Sequence, residues 1–293
     1  MKYTLFTPTY NRAHLLPRLF DSIVAQQTRD FEWLIIDDGS EDNTPEVVQS
    51  FINTGEITIR YIKQPNGGKH RAFNRAIEEA QSDFFVCIDS DDPLVPEAIL
   101  NMDKATAMID GKYDVAGIVG VCITPTGGKI GFVPGGYLYS NTIRSRDYYH
   151  LESEPEVYRL SLLKNYRFPE YEGEKFITEA ILFDKLTEFH PLLYTNYPMQ
   201  IKEYLSGGLT DNQLNIRVMS PNGTLAYYKQ RFFMSQNLLY KIKALINYYR
   251  FYLHARHNHA SLAEPFMKYS LLVIPLAWIM WMKEKKAIKY GKK

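Results

Sequence analysis

Three aspartates close an apolar segment and lie within four positions of one another. In FFVCIDSDD (84–92), five apolar residues are followed by Asp89, Ser90, Asp91 and Asp92. Neighbouring carboxylates repel one another when nothing cationic separates them, because each negative charge disfavours the ionised form of the next. The spacing therefore indicates that a cation belongs at this end of the segment.

Three earlier apolar segments also end in polar or charged residues. These ends are TPTYNR (7–12), DDGSEDNT (37–44) and QPNGGKH (64–70). Each is weak evidence alone, since Asp-Gly and Asn-Gly-Gly are common turns. Ligands of open parallel sheets bind beyond the carboxyl ends of the strands. Four such ends in succession therefore predict one binding edge.

The elements that must position these ends alternate along the first hundred residues. The patterns predict strands at 3–7, 32–38, 57–63 and 83–89, and helices at 14–27, 44–54, 68–80 and 96–109. Alternating strands and helices indicate an α/β fold with a mostly parallel sheet. The continuous apolar runs WLII and FFVCI are typical of strands that are buried on both faces.

The pattern changes after residue 113. We expect a strand at 113–124, a Gly/Pro-rich loop or hairpin at 125–137, and a helix that begins near Lys175 and ends at 189. Further strands and a loop are expected in 191–210, and helix from Leu225 onward.

The composition is that of a globular protein. Of 293 residues, 45% are apolar and 23% charged, which argues against extensive disorder. Cys87 and Cys122 lie in apolar runs and are interpreted as small buried side chains, without a disulfide or metal role. The first residues are too short and polar a segment for a signal peptide. A cytoplasmic location is therefore expected.

Four motifs taken in order, TPTYNR, LIIDDGSEDNT, NGGKHRAFNRAI and FFVCIDSDD, resemble those of family 2 glycosyltransferases, which have the GT-A fold. The resemblance is strong over residues 1–110 and continues to about 220. It implies a GT-A domain at 1–222, with a nucleotide-sugar-binding half (1–112) and an acceptor half (113–222). Residues 223–293 would form a basic, aromatic, helical extension.

The resemblance also assigns roles to the residues of the acid cluster. A nucleotide-sugar presents a diphosphate, and Mg²⁺ or Mn²⁺ takes oxygen ligands from carboxylates and phosphates. Asp91 would be the metal ligand. Asp89 would hold the sugar or ribose, as a further metal ligand or through metal-bound water, and Ser90 would line the donor site. Asp92 has an alternative role as the cap of a helix beginning near Pro93.

Other strand ends would bind the nucleotide. Thr7 and Pro8 would form the bed of the base, Asp38 would accept a base N–H, and Asp37 would hold the loop. Lys69 would contact the diphosphate at a helix N-terminus. Two arginines each have two interpretations. Arg12 either contacts phosphate or pairs with Asp42. Arg71 is either a further contact to the donor or a solvated helix charge.

The resemblance also implies a general base. Relatives carry Glu-Asp at a helix start, and the corresponding stretch here is EYEGEKFITEA (170–180), with Lys175 at the position expected to be aspartate. Glu174 is the predicted base, with Glu172 and Glu179 as alternatives. Each acid is also explained as a helix N-terminal charge. In EYLSGGLTDN (203–212), Glu203 or Tyr204 would line the acceptor site, although a tight turn explains the glycines equally.

The C-terminal part carries the opposite charge balance from the rest. Residues 224–293 hold thirteen lysines and arginines against two acids, within a chain of net charge +1. The uncharged run 269–282 is too short to span a bilayer, and Pro275 is expected to interrupt it. It either packs on the catalytic domain or anchors the protein peripherally to an anionic membrane, where Trp278, Trp281 and the following lysines would lie at the headgroups.

The function expected from these observations is inverting transfer of a sugar from a nucleotide-diphospho-sugar, with a UDP-sugar as the expected donor. The acceptor would be a hydroxyl of a saccharide or lipid-linked molecule in surface polysaccharide or glycolipid synthesis. The alternative is a nucleotide-sugar-binding module without catalysis. No nucleic-acid-binding module is recognised, and TPTYNR lacks the glycine-rich loop of nucleotidyltransferases.

Overall fold

The computed structural model describes residues 1–151, 155–203, 212–255 and 267–290. The chain forms two compact units. One comprises Met1–Phe168 and Leu182–Tyr204, and the other comprises Pro169–Ile181 and Leu205–Lys293. The predicted domain boundary after residue 222 stays a prediction.

All the strands of the described residues lie in the first unit and join one sheet. They are β1 (Tyr3–Thr9), β2 (Phe31–Asp37), β3 (Ile59–Lys63), β4 (Phe84–Cys87), β5 (Gly117–Ile123), β6 (Lys129–Ile130), β7 (Tyr137–Ser140), β8 (Glu156–Arg159) and β9 (Leu192–Ile201). Their order across the sheet is β3-β2-β1-β4-β8-β5-β9-β7, with β6 paired to β5.

The helices follow the same chain order. They are α1 (Leu16–Val24), α2 (Thr44–Thr54), α3 (Lys69–Glu79), α4 (Ala98–Ala107), α5 (Thr142–Arg144), α6 (Leu160–Leu163), α7 (Ala180–Phe189), α8 (Gln213–Met219), α9 (Pro221–Met234), α10 (Leu238–Ala255) and α11 (Met267–Tyr290). A π-helical turn, Ser145–Tyr149, follows α5.

Parallel pairing brings the ends of the first four strands to one edge. β1 pairs in parallel with β2 and β4, and β2 pairs in parallel with β3. In this register Thr9 lies opposite Asp37, and Asp37 lies opposite Lys63. The predicted α/β fold and its shared carboxyl edge are therefore confirmed.

The apolar core explains why these segments form this sheet. Every residue of β2 is buried, and Trp33 is fully enclosed. Phe20, Trp33 and Phe51 stack, with ring centroids 4.3–6.2 Å apart, and so link α1 and α2 to the sheet. Burial on both faces is the reason for the continuous apolar sequence of β2.

Two predicted helix starts were wrong. α4 begins at Ala98 with Glu97 as its N-cap residue, so Asp92 does not cap a helix near Pro93. α7 begins at Ala180, and residues 169–178 are irregular, so no helix begins near Lys175. The sequence reading also missed β8, which pairs antiparallel with both β4 and β5.

The second unit is helical. Its core lies among α9, α10 and α11 and includes Leu225, Tyr248, Phe251 and Ala277. α11 continues through Pro275, so the predicted interruption there was wrong. Among the described residues, none of the helices has the length and apolar character needed to cross a membrane.

Candidate active site at the carboxyl edge of the sheet

Thr7 and Pro8, near the end of β1, are the two residues predicted to contact the base. Thr7 is fully buried, and its Oγ1 accepts a hydrogen bond of 2.9 Å from Trp33 Nε1. Pro8 is partly exposed. The Thr7 hydroxyl is therefore used to fix the core tryptophan, and Pro8 is the more accessible of the two residues predicted to bed the base.

Asn11 links the end of β1 to the loop after β2. Its backbone adopts the left-handed conformation (φ 53°), which asparagine tolerates better than most residues. Its N–H donates to Ser40 Oγ (2.9 Å), and its Oδ1 accepts from the N–H groups of Glu41 (2.8 Å) and Asp42 (3.4 Å). No role for Asn11 was predicted from the sequence. Its place in TPTYNR, directly after an extended segment, was the only available signal.

Both aspartates at the end of β2 are buried and hold loops. Asp37 accepts hydrogen bonds from Ser40 N–H (2.7 Å) and the Tyr61 hydroxyl (2.5 Å). Burial and this carboxylate raise the pKa of Tyr61. Asp37 therefore holds the loop, as expected.

Asp38 accepts three hydrogen bonds from the loop after β3. Its Oδ1 receives Gln64 Nε2 (2.8 Å) and Gly67 N–H (2.9 Å), and its Oδ2 receives Gly68 N–H (2.6 Å). Gly39 allows the same loop to come close, since a Cβ there would lie 2.9 Å from the backbone nitrogen of Asn66. Asp38 thus fixes the entry of α3, and its predicted role toward a base N–H stays a prediction.

The proposed pairing of Arg12 with Asp42 is absent. Within the described residues the Arg12 side chain has no hydrogen-bond or ion-pair partner, and Asp42 instead accepts from Ala13 N–H and from the backbone and hydroxyl of Thr44. Desolvation alone would raise the pKa of Asp42, but these hydrogen bonds hold it below its ordinary value. Arg12 therefore remains available to an external anion.

Lys69 and Asp89 form an ion pair. Lys69 Nζ lies 2.7 Å from Asp89 Oδ1 and 3.0 Å from Oδ2, with each side chain about one-third exposed. Lys69 is also the first residue of α3, where backbone N–H groups favour anions. Arg71, also in α3, donates to the Gly67 carbonyl (3.1 Å) and so ties the helix to the preceding loop.

The acid cluster lies in the turn after β4. Carboxylate oxygens of Asp89, Asp91 and Asp92 all lie within 4.8 Å of one another, and each residue is partly exposed. Ser90 between them is buried. Within the described residues, the Asp91 carboxylate has no hydrogen-bond or ion-pair partner, whereas Asp89 is paired with Lys69. Clustered carboxylate oxygens suit a divalent cation such as Mg²⁺ or Mn²⁺.

The Glu174 carboxylate accepts hydrogen bonds from the start of α9. It is only 4% exposed. Its Oε1 accepts from the backbone and side-chain nitrogens of Asn222 (2.7 and 2.9 Å), and its Oε2 accepts from Gly223 N–H (2.9 Å). The carboxylate thus satisfies N–H groups that a helix N-terminus leaves without intrahelical partners.

The other two candidate bases lie on the same irregular segment. Glu172 is exposed in a turn, and Glu179 is partly exposed directly before α7. Arg217 holds this segment, because it donates to Thr178 Oγ1 (2.9 Å) and lies over the ring of Phe176. The C-terminal helices therefore fix the stretch that contains all three acids.

Of the two predicted acceptor residues, Glu203 lies two positions after the end of β9. Glu203 forms an exposed ion pair with Arg18, with 3.1 Å between Oε2 and Nη1. Tyr204 lies outside the described residues.

Comparison with known proteins finds similarity to one enzyme family. Residues 4–133 match the family described as Glycosyl transferase family 2. Over 195 residues the chain is 29% identical to the GalNAc(5)-diNAcBac-PP-undecaprenol beta-1,3-glucosyltransferase of Campylobacter jejuni. That alignment covers 63% of this chain and 59% of the relative, so the chain spans less than two thirds of that protein.

Solved structures share the fold at low sequence identity. Staphylococcus aureus TarS 1–349, in complex with UDP-GlcNAc, has a TM-score of 0.59 at 18% identity, covering 88% of this chain and 73% of that one. The mannosyltransferase PcManGT from Pyrobaculum calidifontis, in complex with GDP-Man and Mn²⁺, has a TM-score of 0.57 at 16% identity, covering 97% and 88%. Residues 4–133 therefore resemble glycosyltransferase family 2, and the chain shares the GT-A fold of these solved structures.

Proposed function

We propose that this protein transfers a sugar from a nucleotide-diphospho-sugar to a hydroxyl group of a saccharide or lipid-linked acceptor, with inversion at the anomeric carbon. The observation that carries the proposal is the acid cluster at the carboxyl edge of β4, where the Asp91 carboxylate has no partner within the described residues. The match of residues 4–133 to Glycosyl transferase family 2 supports it.

The donor side would use the residues at the sheet edge. Pro8 and Asp38 would meet the base, with Thr7 beneath them. Arg12 and Lys69 would neutralise the diphosphate. TarS in complex with UDP-GlcNAc supports a UDP-sugar as donor. The complex of PcManGT with GDP-Man supports a GDP-sugar as the alternative donor.

Asp91 would hold the metal, with Asp89 and Ser90 lining the sugar or ribose. A divalent ion, Mg²⁺ or Mn²⁺, would supply electrostatic stabilisation of the departing diphosphate. Because Lys69 is paired with Asp89, donor binding would redistribute this ion pair toward the diphosphate.

We infer that the exposed Glu172 is a better candidate for the base than Glu174, with Glu179 as the other alternative. The base must take the proton of the acceptor hydroxyl as that oxygen bonds to the anomeric carbon and the bond to the diphosphate breaks. Glu174 would have to give up three hydrogen bonds to do so.

The acceptor class rests on the relatives. The Campylobacter jejuni relative is named for an undecaprenol-linked substrate, which supports a lipid-linked acceptor for surface polysaccharide or glycolipid synthesis. Such an acceptor would place the enzyme at the cytoplasmic face of a membrane, so peripheral contact with an anionic membrane belongs to the proposal.

A panel of nucleotide-sugars tested by thermal shift, with and without Mn²⁺ or Mg²⁺, checks the proposal first. We expect one sugar nucleotide to raise the unfolding temperature, and to do so more strongly with the metal. Release of the nucleoside diphosphate on addition of an acceptor extract would then report transfer. No shift with any donor would contradict the proposal. Binding without release under any condition would favour the non-catalytic module.

A further inference from the structure

The outward side of α11 is apolar over three helical turns. Residues 271–282 include no charged side chain. The large exposed side chains of this stretch are Leu272, Ile274, Leu276, Trp278, Ile279 and Met282. Leu272 is 84% exposed and Trp278 50%. An ordinary surface helix turns charged and polar residues outward, so this side is the reverse of that pattern.

The inward side of α11 packs on α10 and carries the buried residues and the acid Glu284. Val273 and Ala277 are buried in the core of the second unit. Glu284 forms an ion pair with Arg250, with 2.5 Å between Oε1 and Nη2, and lies 3.1 Å from His254 Nε2. The helix is therefore docked, and its apolar outer side is not the face that builds this core.

A cationic segment follows the apolar side directly. Lys283 and Lys285 are exposed, and the sequence continues with lysines at 286, 289, 292 and 293. Apolar side chains followed by clustered lysines are typical of helices that lie in the interface of an anionic bilayer. Trp278 is the residue type that favours the headgroup boundary.

We propose that the outward side of α11, residues 272–282, together with the following lysines, is a docking surface for an anionic lipid bilayer. It would lie in the plane of the interface, because the apolar stretch is about 16 Å long at ~1.5 Å per residue, roughly half of the hydrocarbon thickness. The inference rests on the proposed function, since it names the surface through which the enzyme reaches a lipid-linked acceptor.

Flotation of the full-length chain with lipid vesicles tests this surface. Vesicles containing phosphatidylglycerol are compared with vesicles of phosphatidylcholine alone, at low and high salt. We expect recovery with the anionic vesicles and a marked loss at high salt, because screening weakens the lysine contribution.

Two exposed pairs separate the apolar from the charged contribution. Leu276→Gln with Ile279→Gln is expected to weaken vesicle binding about tenfold or more, since two apolar side chains no longer enter the interface. Lys283→Gln with Lys285→Gln is expected to weaken binding only at low salt. Phe189→Gln, at an equally apolar exposed position on α7 (71% exposed), is the matched control and should bind as the unmodified protein does. Circular dichroism confirms that each variant is folded.

Each outcome decides the inference separately from the enzyme assignment. Equal recovery of the Leu276/Ile279 variant and the unmodified protein overturns the docking surface, even if nucleotide-sugars bind. Sedimentation that reveals a dimer lost in that variant, with no vesicle binding, also overturns it by assigning the side to a second copy. Vesicle binding that depends on this pair supports the surface, even if no nucleotide-sugar is found.

Discussion

At the scale of single residues, several of the carboxylates singled out from the sequence hold the protein together. Asp37, Asp38 and Glu174 each accept two or three hydrogen bonds, whereas the Asp91 carboxylate has no partner within the described chain. A buried carboxylate that accepts several hydrogen bonds contributes to folding, because removing it leaves its N–H donors without partners. The hydrogen-bond pattern therefore separates structural acids from those that can serve a ligand.

Replacement of single acids distinguishes the candidate bases. Glu174→Gln puts an amide group against N–H donors, so we expect a stability loss of about 1–3 kcal/mol in urea unfolding. Glu172→Gln, at an exposed position, should leave stability nearly unchanged and lower kcat about 100-fold or more, with little change in donor affinity. The opposite pattern, with an inactive but fully stable Glu174→Gln variant, would restore Glu174 as the base.

The residue types of the site could be predicted from sequence, but their partners could not. Parallel strands bring their ends together by geometry, so Asp38, Lys69 and Asp91 could be assigned to one edge from the strand pattern alone. The attachment of Glu174 to Gly223 joins residues far apart in sequence. No local pattern records such a contact, because it depends on how the C-terminal helices pack.

At the scale of elements, the accuracy of prediction follows the local signals. α2 occupies the predicted range 44–54, with proline in its first turn and Gly55 in the left-handed conformation at its end. α7 has no such start, and its first residue lies five positions after the predicted one. The four-residue β8 is too short for a clear periodic pattern, and its pairing with β4 and β5 is what stabilises it.

Close packing of β5 against β8 gives an element-scale prediction. A Cβ at Gly117 would lie 2.0 Å from the carbonyl oxygen of Val157, so Gly117→Ala must separate the two strands. We expect a loss of more than about 3 kcal/mol in the free energy of unfolding, measured by urea titration. Gly111→Ala, where nothing lies within 4 Å of the added atom, is the control and should cost about 1–2 kcal/mol for its left-handed backbone. Similar costs for both would contradict the close contact.

The pairing of α10 with α11 gives a pH prediction. Burial lowers the pKa of His254 below its ordinary value, although its hydrogen bond to Glu284 opposes the shift. The unfolded chain then binds the proton more readily, so stability falls as the pH decreases through about 6.5. We expect the unfolding temperature of the unmodified protein to drop more than that of His254→Gln between pH values on either side of this range. An equal drop in both proteins would contradict the claim that the lowered pKa of His254 causes this loss of stability.

At the scale of the whole molecule, charge is divided along the chain. The basic balance of residues 224–293 contrasts with a net charge of only +1 for all 293 residues, so the preceding part is acidic. The acidic part contains the sheet and its candidate metal ligands, and the basic part contains α10 and α11. This division fits a protein that handles a metal-bound diphosphate with one part and an anionic surface with the other.

The central claim is that the turn after β4 binds a diphosphate together with a divalent ion. Titration calorimetry of UDP and GDP, each with and without Mn²⁺, tests it most directly on the unmodified protein, on Asp91→Asn and on the control Glu97→Gln, an exposed acid outside the cluster. We predict Mn²⁺-dependent binding of one nucleotide, weakened about tenfold or more in Asp91→Asn and unchanged in Glu97→Gln. Failure of the folded, unmodified protein to bind either nucleotide with any ion, or equal affinity in Asp91→Asn, would contradict the claim.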